Sequence, residues 1–508
     1  MVTLTGEGLA QTTSPIPSPS PSPSTAPSTA PRPSATTNPF SFRGYLRVYD
    51  FTRQNASTGI GGAGQTNQQT IEPGISVHGD LRLNNSNFTV GGSYLYATPF
   101  NGCADPRSHL TPPCGLKRPP AVNPDDTVPG FALNTIYEAY LQYKDERLYA
   151  KFGDQLITTP WANAADSRLK PAAFRGADVS YTFPNHFSVD VIDMIEWQSR
   201  TNSTFNYNTL LTSFNAGYTG MPLNIFSPGG KGFETPGFQY ARVGYAHPSG
   251  SFTSNLYDYH FSEIANLAWF DAKYTFVHQK TAPWLAVQGG FEHDVGGSVL
   301  GHIDAKVVGA QIGAVVAKNF TLAMGYNFIP RRTETLPIPP GSTCSPNFLV
   351  TFQPGVTVPF VLPLNAPQCV NNGNGTATYF YGGVASPYTD TYAADPLFST
   401  SLTQGMVDRR APGDGFKLSA TYASTNKRLI LYVSRAYYNY GFTHLQGWQQ
   451  TYETDADALW YAQPLRSRGP YKGLLLRYRY GARVFENTFT YGGLPLFKYN
   501  RAQLEYDF

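Results

Sequence analysis

The chain has 508 residues and a formal net charge of +3, and its charged residues amount to 14% of the sequence, no more than the aromatics alone. Soluble domains carry about 25% charged residues, and a charge this small without a long basic run leaves no electrostatic footprint for nucleic acid. Mean hydropathy is −0.30 and no apolar run reaches the ~18 residues of a membrane helix, so a membrane-spanning form of this chain must be built from strands.

The first residues, Met1-Val-Thr-Leu-Thr-Gly-Glu-Gly-Leu-Ala-Gln11, lack the basic start and the apolar stretch of about 7–15 residues that mark a signal peptide. A barrel must nevertheless be exported, and a signal peptide upstream or already trimmed is the expectation, which mapping of the native N-terminus checks. Residues 12–39 are nearly all Pro, Ser, Thr and Ala. Such a composition cannot bury a core, so 1–39 is expected to be a disordered leader on the periplasmic side, within reach of peptidoglycan.

From Phe40 to Phe508 the dominant signal is alternation with period two, which sends successive side chains to opposite faces of a sheet. Strands are predicted at 40–51, 73–83, 88–97, 132–143, 147–154, 175–182, 186–198, 238–247, 252–261, 266–277, 284–293, 303–317, 320–329, 415–423, 428–437, 454–463, 472–484 and 497–508, eighteen in all. The last shows the pattern best. Ala502, Leu504, Tyr506 and Phe508 share one face and Arg501, Gln503, Glu505 and Asp507 the other. Short polar connections, as at Lys144–Glu146 and Ser424–Asn426, alternate with mostly longer ones, of which 330–414 is the largest. Short turns on one side and long loops on the other suit an antiparallel transmembrane β-barrel, and about 18 strands enclose an aqueous lumen.

The four cysteines fall as Cys103 with Cys114 and Cys344 with Cys369, in polar connections. Two local disulfides formed in an oxidising compartment are one reading, and four unpaired loop thiols are the other. No spacing suits a metal, His78 and His302 have no ligand partner nearby in sequence, and neither a metal nor a cofactor is expected.

If apolar side chains face lipid, alternation sends the charges inward. Arg43, Arg47 and Arg82 near the start and Arg477, Arg479, Arg483 and Arg501 near the end become neighbours once the barrel closes. They form a basic track, in which guanidinium groups hold carboxylates in bidentate fashion. The bland alternative is that these arginines pair with Glu505, Asp507 and Asp80. Lys151, Arg242, Lys273 and Lys306 are further candidates for the lumen. No Gly-x-Ser-x-Gly, His-Glu-x-x-His or P-loop is present, and Asp455 with Asp457, or Asp190 with Asp193, read as a solvated wall rather than a catalytic acid pair.

Residues 153–176, with Gly153, Gln155, Pro160, Asp166, Ser167, Arg168, Leu169, Pro171, Phe174 and Gly176 at matching positions, resemble the segment between the fifth and sixth strands of the OprD family of substrate-specific outer-membrane porins. Lys472–Tyr480 and Asn500–Phe508 are similar to that family's last two strands. The resemblance implies a bacterial outer-membrane location and passive uptake of small carboxylate-bearing solutes such as organic acids, amino acids and short peptides. It also implies a third loop, here 155–174, folded inward as a constriction carrying Trp161, Asp166, Ser167 and Arg168, and a monomer or loose homotrimer in the lipid bilayer. The leader, the cysteine pairs and the 330–414 connection depart from the family. A surface barrel acting as an adhesin, or as a hydrolase, through its outer loops is the competing reading.

Overall fold

Alternation is realised with charge on the inside. On the last strand Leu504 and Tyr506 are 44% and 49% exposed, whereas Arg501 and Glu505 are 1% and 0% exposed. A soluble sheet buries its apolar face against a core. Here the apolar face is the outer surface, as a wall in hydrocarbon requires.

The computed structural model describes residues 39–57, 65–83, 86–98, 132–164, 168–200, 202–207, 209, 235–279, 281–297, 303–337, 347–353, 356–361, 368–389, 394–403, 405–407, 412–441, 448–462, 473–485 and 497–508. The strands are β1 (Phe40–Ser57), β2 (Gln65–Arg82), β3 (Phe88–Ala97), β4 (Leu133–Lys144), β5 (Leu148–Gln155), β6 (Ala173–Thr182), β7 (Phe187–Gln198), β8 (Phe238–Ala246), β9 (Phe252–Phe261), β10 (Ala265–Thr275), β11 (Trp284–Asp294), β12 (Asp304–Ala317) and β13 (Phe320–Ile329). They continue as β14 (Arg332–Pro337), β15 (Asn347–Gln353), β16 (Val356–Val361), β17 (Gln368–Asn371), β18 (Thr376–Tyr381), β19 (Gly413–Ala423), β20 (Leu429–Gly441), β21 (Trp448–Tyr461), β22 (Gly473–Phe485) and β23 (Phe497–Asp507).

Eighteen of these form one antiparallel sheet. Every strand pairs with its neighbour in sequence, β13 pairs with β19, and β23 returns to β1 with Tyr45 opposite Asp507 and Gln54 opposite Lys498. The sheet is therefore a closed barrel without free edges, and all eighteen predicted strands are present. Several hairpins run further than alternation of apolar residues shows. β1 and β2 stay paired as far as Ser57 and Gln65, in stretches with no apolar face to betray them.

Loop asymmetry holds with two departures: β9 and β10 are joined on the long-loop side by only Ser262–Ile264, and β21 and β22 on the short-turn side by the longer connection 462–472. On the short-turn side Asp145 organises the β4–β5 turn. Its Oδ1 accepts the N–H groups of Leu148 at 2.7 Å and Arg147 at 2.8 Å, which hold this exposed carboxyl below its usual range. At the end of β5, Gly153 has φ +118°, and a Cβ there would lie 2.3 Å from the carbonyl oxygen of Ala139, so only glycine fits.

The long connection after β13 holds five short strands that stand outside the barrel sheet. β14, β17 and β18 form one small sheet, and β15 and β16 form another. The chain then turns back into the barrel.

Candidate functional site

Two connections enter the lumen. The one between β5 and β6 crosses it from side to side. Near its start Trp161 packs edge to face on Trp269 of β10, with ring centroids 5.1 Å apart, and its backbone N–H donates to Tyr259 Oη at 3.3 Å. Near its end the Leu169 carbonyl accepts from Tyr45 Oη at 2.7 Å, and the Arg168 carbonyl accepts from Arg47 Nη1 at 2.8 Å. Lys170 Nζ donates to the Ser199 carbonyl at 2.5 Å. The second inward segment, within residues 382–407, meets the first. Ala162 and Tyr388 form a β-bridge, and Asn163 Nδ2 donates to the Ala394 carbonyl at 2.6 Å.

The closing strands bring the predicted arginines onto one wall. Arg479 of β22 stands directly opposite Arg501 of β23, and Arg47 of β1 opposite Glu505 of β23. Arg47, Arg477, Arg479 and Arg501 are buried, Arg47 directly against the crossing segment. Acids interleave with them. Asp457 Oδ2 takes Arg477 Nη2 at 2.5 Å and Arg479 Nη2 at 2.8 Å, while Glu505 Oε2 takes Arg47 Nε at 2.5 Å and Glu453 Oε2 takes Arg483 Nε at 3.3 Å. Arg501 lies over the ring of Tyr49 at 4.6 Å and reaches Gln503 Oε1 at 2.7 Å. Burying two guanidinium groups on one carboxylate leaves a local excess of positive charge, which the low dielectric of a buried site strengthens. Arg168 adds a guanidinium from the crossing segment, 4.9 Å from the Phe51 ring.

The other predicted cations are more scattered. Arg43 pairs with Asp80 at 3.1 Å, and Arg82 is exposed at the short-turn end of β2. Lys151 reaches Glu138 at 3.4 Å, Arg242 reaches Asp190 at 2.5 Å, and Lys273 sits 5.1 Å from the ring of Trp284. Lys306 is a correction. It shares the outward face of β12 with Val308 and Ile312, while Ala305 and Val307 point inward. It belongs to the long-loop end of the strand, where the outer surface leaves hydrocarbon and a charge no longer marks the lumen. Asp166, Ser167, Cys103, Cys114, Cys344 and His302 lie outside the described residues, as does any pairing of Cys369, which stands in β17.

Sequence reasoning missed two inner features. His78 has close partners, with Nδ1 2.6 Å from Ser93 Oγ and Nε2 3.1 Å from Asp80, in a cluster with Glu138, Tyr140 and Lys151. The wall facing the arginines is aromatic. Tyr388 inserts among Phe174, Phe238, Phe261 and Trp197, with ring centroids 4.9 to 6.4 Å away. A signal was present in Phe238-Gln-Tyr240 and Tyr257-Asp-Tyr-His-Phe261, where rings recur on the inward parity.

These features define a wide transmembrane barrel narrowed by its own loops, with a charged wall and an aromatic wall at the constriction. No family model matches the sequence, and no curated protein matches it. Solved structures do. The chain is similar to Pseudomonas aeruginosa OccK9 (OpdG) with a TM-score of 0.60 and 15% identity, covering 92% of this chain and 98% of that one. It is similar to Pseudomonas aeruginosa OpdK, solved with vanillate, with a TM-score of 0.60, 13% identity and the same coverage. It is also similar to Acinetobacter baumannii OccAB2, with a TM-score of 0.62, 14% identity and coverage of 92% and 98%. The fold is that of the OprD family of substrate-specific outer-membrane porins, to which these structures belong.

Proposed function

We propose that this chain is a bacterial outer-membrane porin through which small carboxylate-bearing solutes diffuse passively past the arginine wall. The observation that carries the reading is the convergence of Arg47, Arg477, Arg479 and Arg501 from adjacent strands with Arg168 from the crossing segment. Guanidinium groups offer forked donors that match a carboxylate, and arginines already sharing one acid can exchange it for a passing anion without trapping it. Among the similar structures, OpdK is solved with vanillate and OccK2 (OpdF) with glucuronate, both of which carry a carboxylate. All of these neighbours are porins, which favours transport over a surface hydrolase or adhesin.

In this reading the apolar belt sits in the outer-membrane bilayer, as a monomer or loose homotrimer, with the leader extending toward peptidoglycan. Planar-bilayer recordings test the proposal. The purified protein should give stepwise currents with a preference for carboxylates, and Arg477→Ala with Arg479→Ala should shift the reversal potential toward cations. An unchanged reversal potential would remove the arginine wall from the mechanism, and the absence of any current would remove the porin.

A further inference from the structure

The second inward segment includes a strap, residues 396–403, Pro-Leu-Phe-Ser-Thr-Ser-Leu-Thr. It lies against the inner faces of β13 and β19–β22. Three wall glycines stand under it. A Cβ on Gly325 would come 2.7 Å from the Phe398 carbonyl oxygen, one on Gly415 2.8 Å from Ser399 Oγ, and one on Gly481 2.9 Å from Thr403 Cγ2. None of the three has a positive φ, so the strands themselves accept alanine and the close approach of the strap is what excludes it. The wall thus carries a groove shaped for this segment.

The seat is polar, and wall side chains bond the backbone of the strap. Asn327 Oδ1 accepts the Ser399 N–H at 2.9 Å, and Tyr438 Oη accepts the Ser401 N–H at 2.9 Å while donating to the Ser399 carbonyl at 2.7 Å. Asp455 Oδ2 accepts the Leu402 N–H at 3.2 Å and Glu453 Oε1 the Thr403 N–H at 2.7 Å. Two cations serve the carbonyls, Lys417 donating to Thr400 and Arg483 to Thr403. Each cation therefore spends a donor on a neutral acceptor, Arg483 with its Nη2 while its Nε pairs with Glu453. A carboxylate is the stronger acceptor for either, because the bond then carries charge on both partners.

We propose that the strap is a built-in competitor for Lys417 and Arg483. An entering carboxylate takes these cations from the Thr400 and Thr403 carbonyls, loosens the strap from its glycine groove and widens the passage ahead of itself. The proposal rests on the porin reading and adds to it a carboxylate site on Lys417 and Arg483, ahead of the arginine wall, that the chain's own backbone occupies at rest.

The test is single-channel recording of the full chain with sodium succinate as the probe at constant ionic strength. The unmodified protein should switch between two conductance levels, and succinate should raise the fraction of time in the larger one. Gly415→Ala with Gly481→Ala, which crowds the strap off the wall without removing a polar group, should stay in the larger level and lose the response. Gly325→Ala, on another strand, is the alternative if the double variant fails to insert. Lys417→Met with Arg483→Gln should also lose the succinate response. Glycine variants that switch and respond like the parent, or a parent indifferent to succinate, would overturn the strap while leaving the porin intact. Silence of every form would overturn the porin reading, and the strap with it.

Discussion

The two inner walls of the constriction solve the same packing problem with opposite chemistry. On the β21–β23 and β1 side, buried arginines are held by acids on the next strand. On the β6–β10 side, Trp197, Phe238, Tyr259, Phe261 and Trp269 cluster around Trp161 and Tyr388 from the inward segments. Ion pairs tie the first wall together within the barrel, so its order depends on cross-strand register. The aromatic wall is ordered by the loops that fill it. One side is therefore built of paired charge and the other of packed aromatic rings.

The sharpest way to break this contrast is to remove the acid that two arginines share. Asp457→Asn should destabilise the barrel by about 3–5 kcal/mol, because buried guanidinium charge is left uncompensated. Urea unfolding in lipid vesicles reads this, and a change within error would mean that water reaches the pair. On the aromatic side Trp161→Ala should cost about 3 kcal/mol by cavity formation and raise conductance by loosening the crossing segment from Trp269. A loss of stability without a conductance change would show that this end of the segment packs without narrowing the pore. Tyr45→Phe, which deletes the bond to the Leu169 carbonyl, should cost about 1 kcal/mol, and thermal unfolding followed by gel mobility measures it. Lys306→Gln should change stability by no more than about 0.5 kcal/mol and leave ion selectivity alone. A selectivity shift would return Lys306 to the lumen.

Alternation and the spacing of turns specified the barrel and its strand number, and alternation put Arg47, Arg477, Arg479 and Arg501 on the inward face, because pleating ties side-chain direction to sequence parity. The sequence reading assigns Lys306 to the lumen with the other cations, and only the observed β12 turns it outward beside Val308 and Ile312. The partners were a matter for the closed structure. Asp457 sits between Arg477 and Arg479 because β21 and β22 pair in one register, and Glu505 meets Arg47 only because the last strand returns to the first. The strap left no periodic trace, since its backbone is satisfied by scattered wall side chains rather than by a ladder. Its seat exists only where glycines of β13, β19 and β22, remote in sequence, come to lie beneath it.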